Sequence, residues 1–107
     1  MGQLNNMQPV IDLFRIELEI QRAKLQKQYA VALSLYDQVI NIKKQVPNKL
    51  GLAKSIAEKA FLLEQMGQLP EAYRTYQFAQ EVANGTPNHE FIQTIAQQIA
   101  KFNPTFF

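Results

Sequence analysis

The 107-residue chain has no cysteine and a single histidine, His89. Without thiols it can form neither disulfides nor a thiol-based active site, and nothing in it argues for an oxidising compartment. Its longest apolar runs span only a few residues, and no basic-then-apolar leader opens it. We therefore expect no membrane span, no signal peptide and a cytoplasmic location.

Motifs of catalysis are absent from the sequence as well. It contains no glycine-rich phosphate loop, zinc-ligand spacing or nucleophile motif. His89 lies at the start of a predicted helix, where we expect it to be exposed. The carboxylates that could be paired are Asp12, Glu17 and Glu19 in one segment and Glu58 and Glu64 in another. Such residues on amphipathic helices are usually solvated. We predict that the chain is not an enzyme and binds no metal or cofactor.

Charge is moderate and unevenly distributed. The net charge is +2; residues 1–59 carry nine Lys/Arg against five Asp/Glu, and residues 60–107 carry two against four. Ordinary solvated helix faces account for this distribution. The alternative is a basic front end that attracts an acidic partner, or head-to-tail association. Nucleic-acid binding is a less favoured, third interpretation, because it needs more positive charge on one face. Its candidate residues are Arg15, Arg22, Lys24, Lys27, Lys43, Lys44 and Lys49.

Apolar residues at helical spacing alternate with helix-breaking residues, which predicts five helices. Their expected spans are 9–25, about 29–45, about 49–66, about 70–83 and about 87–102. We expect Asn48 to be an N-cap, and Gly67 and Asn84-Gly85 to form left-handed helix ends. The apolar residues between Val10 and Leu25 are predicted to fall on one broad helical face, with most of the charged residues opposite. The fold class is therefore all-α, with antiparallel neighbours joined by short connections.

An internal repeat appears when the chain is shifted on itself by 40 residues. The residues that then coincide lie at packing and capping positions. They are Ile16 with Ile56, Gln28 with Gln68, Ala32 with Ala72, Tyr36 with Tyr76, Pro47-Asn48 with Pro87-Asn88, and Ala60 with Ala100. A period in this range indicates stacked helical hairpins.

These residues resemble the tetratricopeptide repeat family, in a lengthened form of about 40 residues per repeat. The matches in the second hairpin are Ile56, Ala60, Gly67, Leu69, Ala72, Tyr76 and Ala79. The first hairpin matches at Ile16, Tyr29, Ala32 and Tyr36, and departs from the pattern at Ile20, Lys27 and Val39. The resemblance implies one domain, a right-handed α-solenoid. It consists of hairpin 1 (9–46), hairpin 2 (47–86), a C-terminal capping helix (87–102) and a tail (103–107).

The resemblance also implies a function, which is binding of another protein or a peptide on the concave face of the hairpins. It places these residues on that face: Phe14, Glu17, Leu18, Gln21, Lys24, Leu25, Ala57, Glu58, Phe61, Glu64 and Gln65. Phe14, Leu18 and Phe61 are alternatively core residues of a small bundle. Peptide binding on the concave face predicts a cytoplasmic, non-catalytic adaptor.

The runner-up interpretation is a structural module that self-associates as a homodimer. Its candidate residues are Ile92, Ile95, Ile99, Phe102, Phe106 and Phe107. The two terminal phenylalanines are costly to leave in water, at about 1.5–3 kcal/mol per side chain. They fold back on their own chain, lie in the groove of a neighbouring molecule, or mark where a natural chain continues. The sequence does not distinguish these three arrangements.

Overall fold

The computed structural model describes the backbone of residues 2–102 and the side chains of residues 10–102. Five helices occupy this range, and it contains no strand, which confirms the all-α class. They are α1 (Gly2–Leu25), α2 (Tyr29–Lys43), α3 (Lys49–Gln65), α4 (Leu69–Ala83) and α5 (His89–Ala100). The connections alternate between three residues (26–28 and 66–68) and five residues (44–48 and 84–88).

The helices pack mainly against their neighbours along the chain. One core cluster joins α1 and α2 around Ile16, Ile20 and Tyr36. A second joins α3, α4 and the end of α5, where Tyr76 and Phe102 are surrounded by smaller side chains. Several alanines, among them Ala32, Ala53, Ala60, Ala72 and Ala79, have no exposed surface at all. These small residues allow the helices to approach closely while the tyrosine rings fill the remaining space.

The 40-residue period is present in the backbone. Helix α2 and helix α4 begin at residues 29 and 69 and end at residues 43 and 83. Helices α3 and α5 begin at residues 49 and 89, and in each the preceding asparagine caps the helix. The Asn48 side chain accepts a hydrogen bond from the Gly51 N–H (2.9 Å), and Asn88 accepts one from the Phe91 N–H (3.0 Å). The predicted N-cap at Asn48 is confirmed, and its counterpart has the same geometry.

The two three-residue turns share one hydrogen-bond pattern. The Gln28 N–H donates to the Ala23 carbonyl and the Lys27 N–H to that of Lys24; residues 67 and 68 repeat both bonds one period later. This is the Schellman arrangement, in which a left-handed residue ends the helix. Gly67 has φ +79°, as predicted, and Lys27 adopts φ +58° at the equivalent position. The lysine therefore carries backbone strain that the glycine does not.

The predicted left-handed end at Asn84-Gly85 is wrong. Asn84 is right-handed (φ −62°), and Gly85 is not among the described residues with positive φ. The last carbonyls of α4 are satisfied by a tight right-handed turn, in which the Thr86 hydroxyl donates to the Ala83 carbonyl (2.7 Å). A five-residue connection leaves room for such a turn, so no left-handed residue is needed.

The first helix begins earlier than predicted, at Gly2 instead of Pro9. Proline is typical of a first helical turn because it has no N–H to leave unpaired. Inside a helix it removes one backbone hydrogen bond. The preceding segment contains Leu, Met and Gln, which have high helix propensity, and the helix continues through it.

Candidate protein-binding surface

A cleft of about 340 Å³ lies between α3 and α5. Its floor is formed where Tyr76 of α4 and Ile95 of α5 pack in the second core cluster. Its complete lining consists of Lys24, Lys54, Ala57, Glu58, Phe61, Tyr76, Phe91, Thr94, Ile95 and Gln98. The walls are thus mostly apolar, with charged groups on one side.

A hydrogen-bonded chain of three side chains holds α5 beside this cleft. The Tyr76 hydroxyl of α4 donates to Oε1 of Glu64 on α3 (3.1 Å), and Nζ of Lys101 lies 2.8 Å from Oε2 of the same carboxylate. Burial raises the pKa of Tyr76, and the hydrogen bond to Glu64 and its negative charge raise it further. Glu64 therefore has a structural role that links three helices, and it does not line the cleft.

The charged side of the cleft centres on Glu58. Partial burial raises the pKa of its carboxyl, and the positive charges of Lys43, Lys24 and Lys54 oppose that rise. Lys43 is itself engaged, since its Nζ donates to Oγ of Ser55 (2.8 Å). Lys24 and Lys54 line the cleft and form its basic rim.

Tyr36, the buried tyrosine of the first hairpin, lies within electrostatic reach of Glu58 and of a second carboxylate, Glu17. Burial raises the pKa of Tyr36 to about 12, with smaller contributions from the charges of Glu58 and Glu17. Glu17 lies on the exposed side of α1, with its Oε1 4.0 Å from Nζ of Lys43. These contacts show that α1, α2 and α3 place their charged groups within electrostatic reach of one another.

One polar atom of the cleft lining is not satisfied. The side-chain carbonyl oxygen of Gln98 is buried and has no hydrogen-bond partner among the described residues. A buried acceptor without a donor carries a desolvation cost. Gln98 therefore brings an unpaired, buried acceptor to the residue set that lines the cleft.

The large apolar residues predicted for the concave face are exposed. The exposed fractions are 73% for Phe14, 67% for Leu18, 85% for Leu25 and 48% for Phe61. The alternative that Phe14, Leu18 and Phe61 are core residues of a bundle is therefore wrong. Of the apolar residues on the broad face predicted for the first helix, Ile16, Ile20 and Ala23 are buried.

The remaining residues predicted for that face have different environments. Glu17, Gln21, Glu58 and Gln65 are exposed, and Lys24, Ala57 and Glu64 are half-buried. Of the eleven, four come together at the cleft: Lys24, Ala57, Glu58 and Phe61. Of the described residues of α1, Lys24 alone contributes to the lining.

The residues predicted for self-association through α5 are largely used within the chain. Ile95 and Phe102 are buried, and Ile92 and Ile99 are half-buried. The Phe102 ring packs edge-on against Tyr73 and Tyr76, with centroid distances of 5.6 and 5.9 Å. This packing removes Ile95 and Phe102 from any surface of the folded chain. Phe106 and Phe107 lie outside the described residues.

The remaining features concern the single histidine, metal binding and membrane spans. His89 is exposed at the first position of α5, beside a shallow depression between the two five-residue connections. Among the side chains of residues 10–102, no three His, Asp or Glu are grouped so that they could hold a metal ion. No helix in this range has both the length and the apolar character needed to cross a bilayer.

Comparison of the chain with protein-family models, with curated proteins and with solved structures found no match. The tetratricopeptide resemblance therefore stays a prediction. Six residues of the cleft were not predicted as peptide-binding residues: Lys54, Tyr76, Phe91, Thr94, Ile95 and Gln98. A signal for one of them is present, because Gln98 follows the predicted binding residue Glu58 by one 40-residue period.

Proposed function

We propose that this chain is a non-catalytic protein-binding module that holds an amphipathic peptide segment in the cleft between α3 and α5. The observation that carries the proposal is Phe61, a large aromatic side chain left 48% exposed beside a mostly apolar cleft. Exposed aromatic residues next to a concave surface are typical anchors of protein interfaces. Under this proposal the two hairpins are tetratricopeptide-like repeats, α5 is the capping helix and the chain is a cytoplasmic adaptor.

The charges of the cleft favour one kind of ligand. Lys24 and Lys54 contribute two positive charges to the lining and Glu58 contributes one negative charge. A segment with one or two apolar anchors and a neighbouring acidic side chain complements this arrangement, because the acid pairs with the lysines while the anchors contact Phe61.

The test begins with a phage-displayed library of random 16-residue peptides, selected against the whole chain. Recovered peptides are then titrated against the unchanged chain and against Phe61→Ala. An anchor residue at an interface costs about 2 kcal/mol or more when truncated, so we expect a loss of affinity of at least about 30-fold. We also expect acidic residues to be enriched in the recovered peptides.

The matched control is Phe78→Ala. Phe78 is a similarly exposed aromatic residue (41%) that does not line the cleft, so its truncation should change the affinity by less than a factor of two. If no peptide is enriched, or if Phe61→Ala binds the peptides as tightly as Phe78→Ala does, the cleft is not the binding site and the proposal fails.

A further inference from the structure

Helix α1 is apolar on two opposite faces. One face carries Leu13, Ile16, Ile20 and Ala23, which pack in the first core cluster. The other carries Ile11, Phe14, Leu18 and Leu25, which are between 54% and 85% exposed. At about 100° per residue the centres of these two sets lie about 170° apart around the helix. A helix with two apolar faces needs two packing partners, and α2 supplies only one of them.

The exposed residues follow the spacing of a coiled coil. We call this set the α1 stripe: positions 11, 14, 18, 21 and 25, separated alternately by three and four residues. Ile11, Leu18 and Leu25 then take the a positions of a heptad repeat, and Phe14 and Gln21 take the d positions. In the sequence the same spacing continues one heptad earlier with Leu4 and Met7. A pattern sustained over three heptads is typical of helix pairing and is longer than a surface helix requires.

We propose that the α1 stripe is a homodimer interface, in which two copies of the chain pair their first helices in parallel and in register. Its orientation follows from charge. In a parallel pair, Glu17 at a g position faces Arg22 of the partner subunit at an e position, and the reciprocal pair forms as well. The polar Gln21 also meets the partner's Gln21, so that one polar residue is matched with another across the seam.

The antiparallel alternative is less favourable. In an antiparallel pair, the e positions flank the partner's e positions and the g positions flank the partner's g positions. When Phe14 lies opposite the partner's Leu18, Arg15 (e) is therefore beside the partner's Arg15, and Glu17 (g) is beside the partner's Glu17. Like charges at these flanking positions repel, and Gln21 is then paired with the apolar Ile11 of the partner subunit. Both features select the parallel register.

The exposed area is sufficient for a dimer. With about 200 Å² for a fully exposed large side chain, the four apolar residues of the stripe expose about 550 Å² per chain. Pairing two copies would therefore bury at most about 1,100 Å² of these side chains, which is comparable with the roughly 1,000 Å² expected of a specific interface. The stripe and the cleft are distinct surfaces, because Ile11, Phe14, Leu18, Gln21 and Leu25 are not among the residues that line the cleft.

The first test measures the solution mass of the whole chain by light scattering across a dilution series. We expect twice the chain mass of 12.3 kDa at high concentration. Leu18→Glu places a charge in the centre of the seam, and we expect it to weaken association at least about a hundredfold and to give a monomer. Val31→Glu is the matched control, since Val31 is an exposed apolar residue (48%) of α2 outside the stripe. It should remain a dimer, and circular dichroism should show unchanged helicity for both variants.

The second test determines the register. Because the chain has no cysteine, Gln21→Cys introduces a single thiol at a d position. In a parallel pair the two thiols are adjacent and form a disulfide on mild oxidation. In the antiparallel alternative they lie about 15 Å apart along the helix axes and cannot react. Ser34→Cys, on the exposed side of α2, is the control and should remain uncrosslinked.

Three results would overturn the proposal. A monomer up to the millimolar range would mean that something other than a second copy covers the stripe. A dimer that Leu18→Glu leaves intact would have its interface elsewhere. If Leu18→Glu disperses the dimer but the Gln21→Cys variant forms no disulfide, the first helices do not pair in the parallel register proposed here. None of these results affects the peptide-binding test, which depends on Phe61 and not on the stripe.

Discussion

Phe102 is the residue whose truncation most directly tests how α5 is held. Its ring is 8% exposed and makes edge-on contacts with Tyr73 and Tyr76, and α5 packs mainly against α4. Phe102→Ala removes these contacts and leaves a cavity, which costs about 3–5 kcal/mol. Because the lost contacts lie at one end of the chain, we expect the cost to appear as undocking of α5, with little effect on the hairpin formed by α1 and α2.

The appropriate measurement is amide hydrogen exchange, resolved by helix. Every 1.4 kcal/mol changes an equilibrium tenfold, so the expected cost lowers the protection of α5 amides by a factor of roughly 150 to several thousand. Phe102→Leu is the control; it keeps most of the apolar volume and should lower protection only about tenfold. The α3–α5 cleft should be lost together with α5, so Phe102→Ala should also abolish peptide binding.

Two outcomes would refute this reasoning. If α5 amides in Phe102→Ala retain their protection within tenfold, Phe102 does not hold the helix. If protection falls equally in α1, α2 and α5, the chain unfolds as one cooperative unit and the packing of α5 is not a local property.

Two further predictions concern the turns and the buried tyrosine. Lys27→Gly should stabilise the chain by about 0.5–1 kcal/mol, because glycine adopts the left-handed conformation of this position without strain. Gly67→Ala should destabilise it by a similar amount, because this position is left-handed too; a Cβ there meets nothing within 4 Å, so the cost comes from the backbone and not from a clash. Effects of the same sign in urea unfolding would contradict both predictions. Tyr36 is protonated more strongly in the folded chain (pKa about 12) than in the unfolded chain (about 10), so its contribution to stability is complete below pH 10 and is lost between pH 10 and 12. Urea midpoints should therefore fall over this range, less steeply in Tyr36→Phe, and equal slopes would count against the assignment.

Most of the fold could be predicted from the sequence because the helix ends carry local signals. Asn48 and Gly67 act through hydrogen bonds and dihedral angles within a few residues of themselves, and both were assigned correctly. The end of α4 was not, because Asn84-Gly85 permits a left-handed conformation without requiring one. The Thr86 hydroxyl supplies a competing solution. Local signals define which backbone conformations a helix end can adopt, and the length of the connection decides between the left-handed and the right-handed end.

The surface of α1 shows a different limit. Hydrophobic periodicity identifies apolar positions but does not reveal which of them meet a neighbouring helix. Ile16 and Leu18 have the same character in the sequence, yet one is 4% exposed and the other 67%. The difference arises from the position of α2, a tertiary property. The α5 side of the cleft was missed for a related reason. Helix α5 was considered as a cap and as a self-association surface, and neither interpretation uses the repetition of the Glu58 position at Gln98.

The helices pack mainly against their neighbours in sequence, and this has a consequence for the kinetics of folding. Contacts between neighbours in sequence require only short loops to close, so the entropy lost before each contact forms is small. Chains with such local contacts fold on timescales of about microseconds to milliseconds. We therefore expect this chain to fold quickly, with hairpins forming first and then docking, and to spend little time with its apolar helix faces exposed to aggregation.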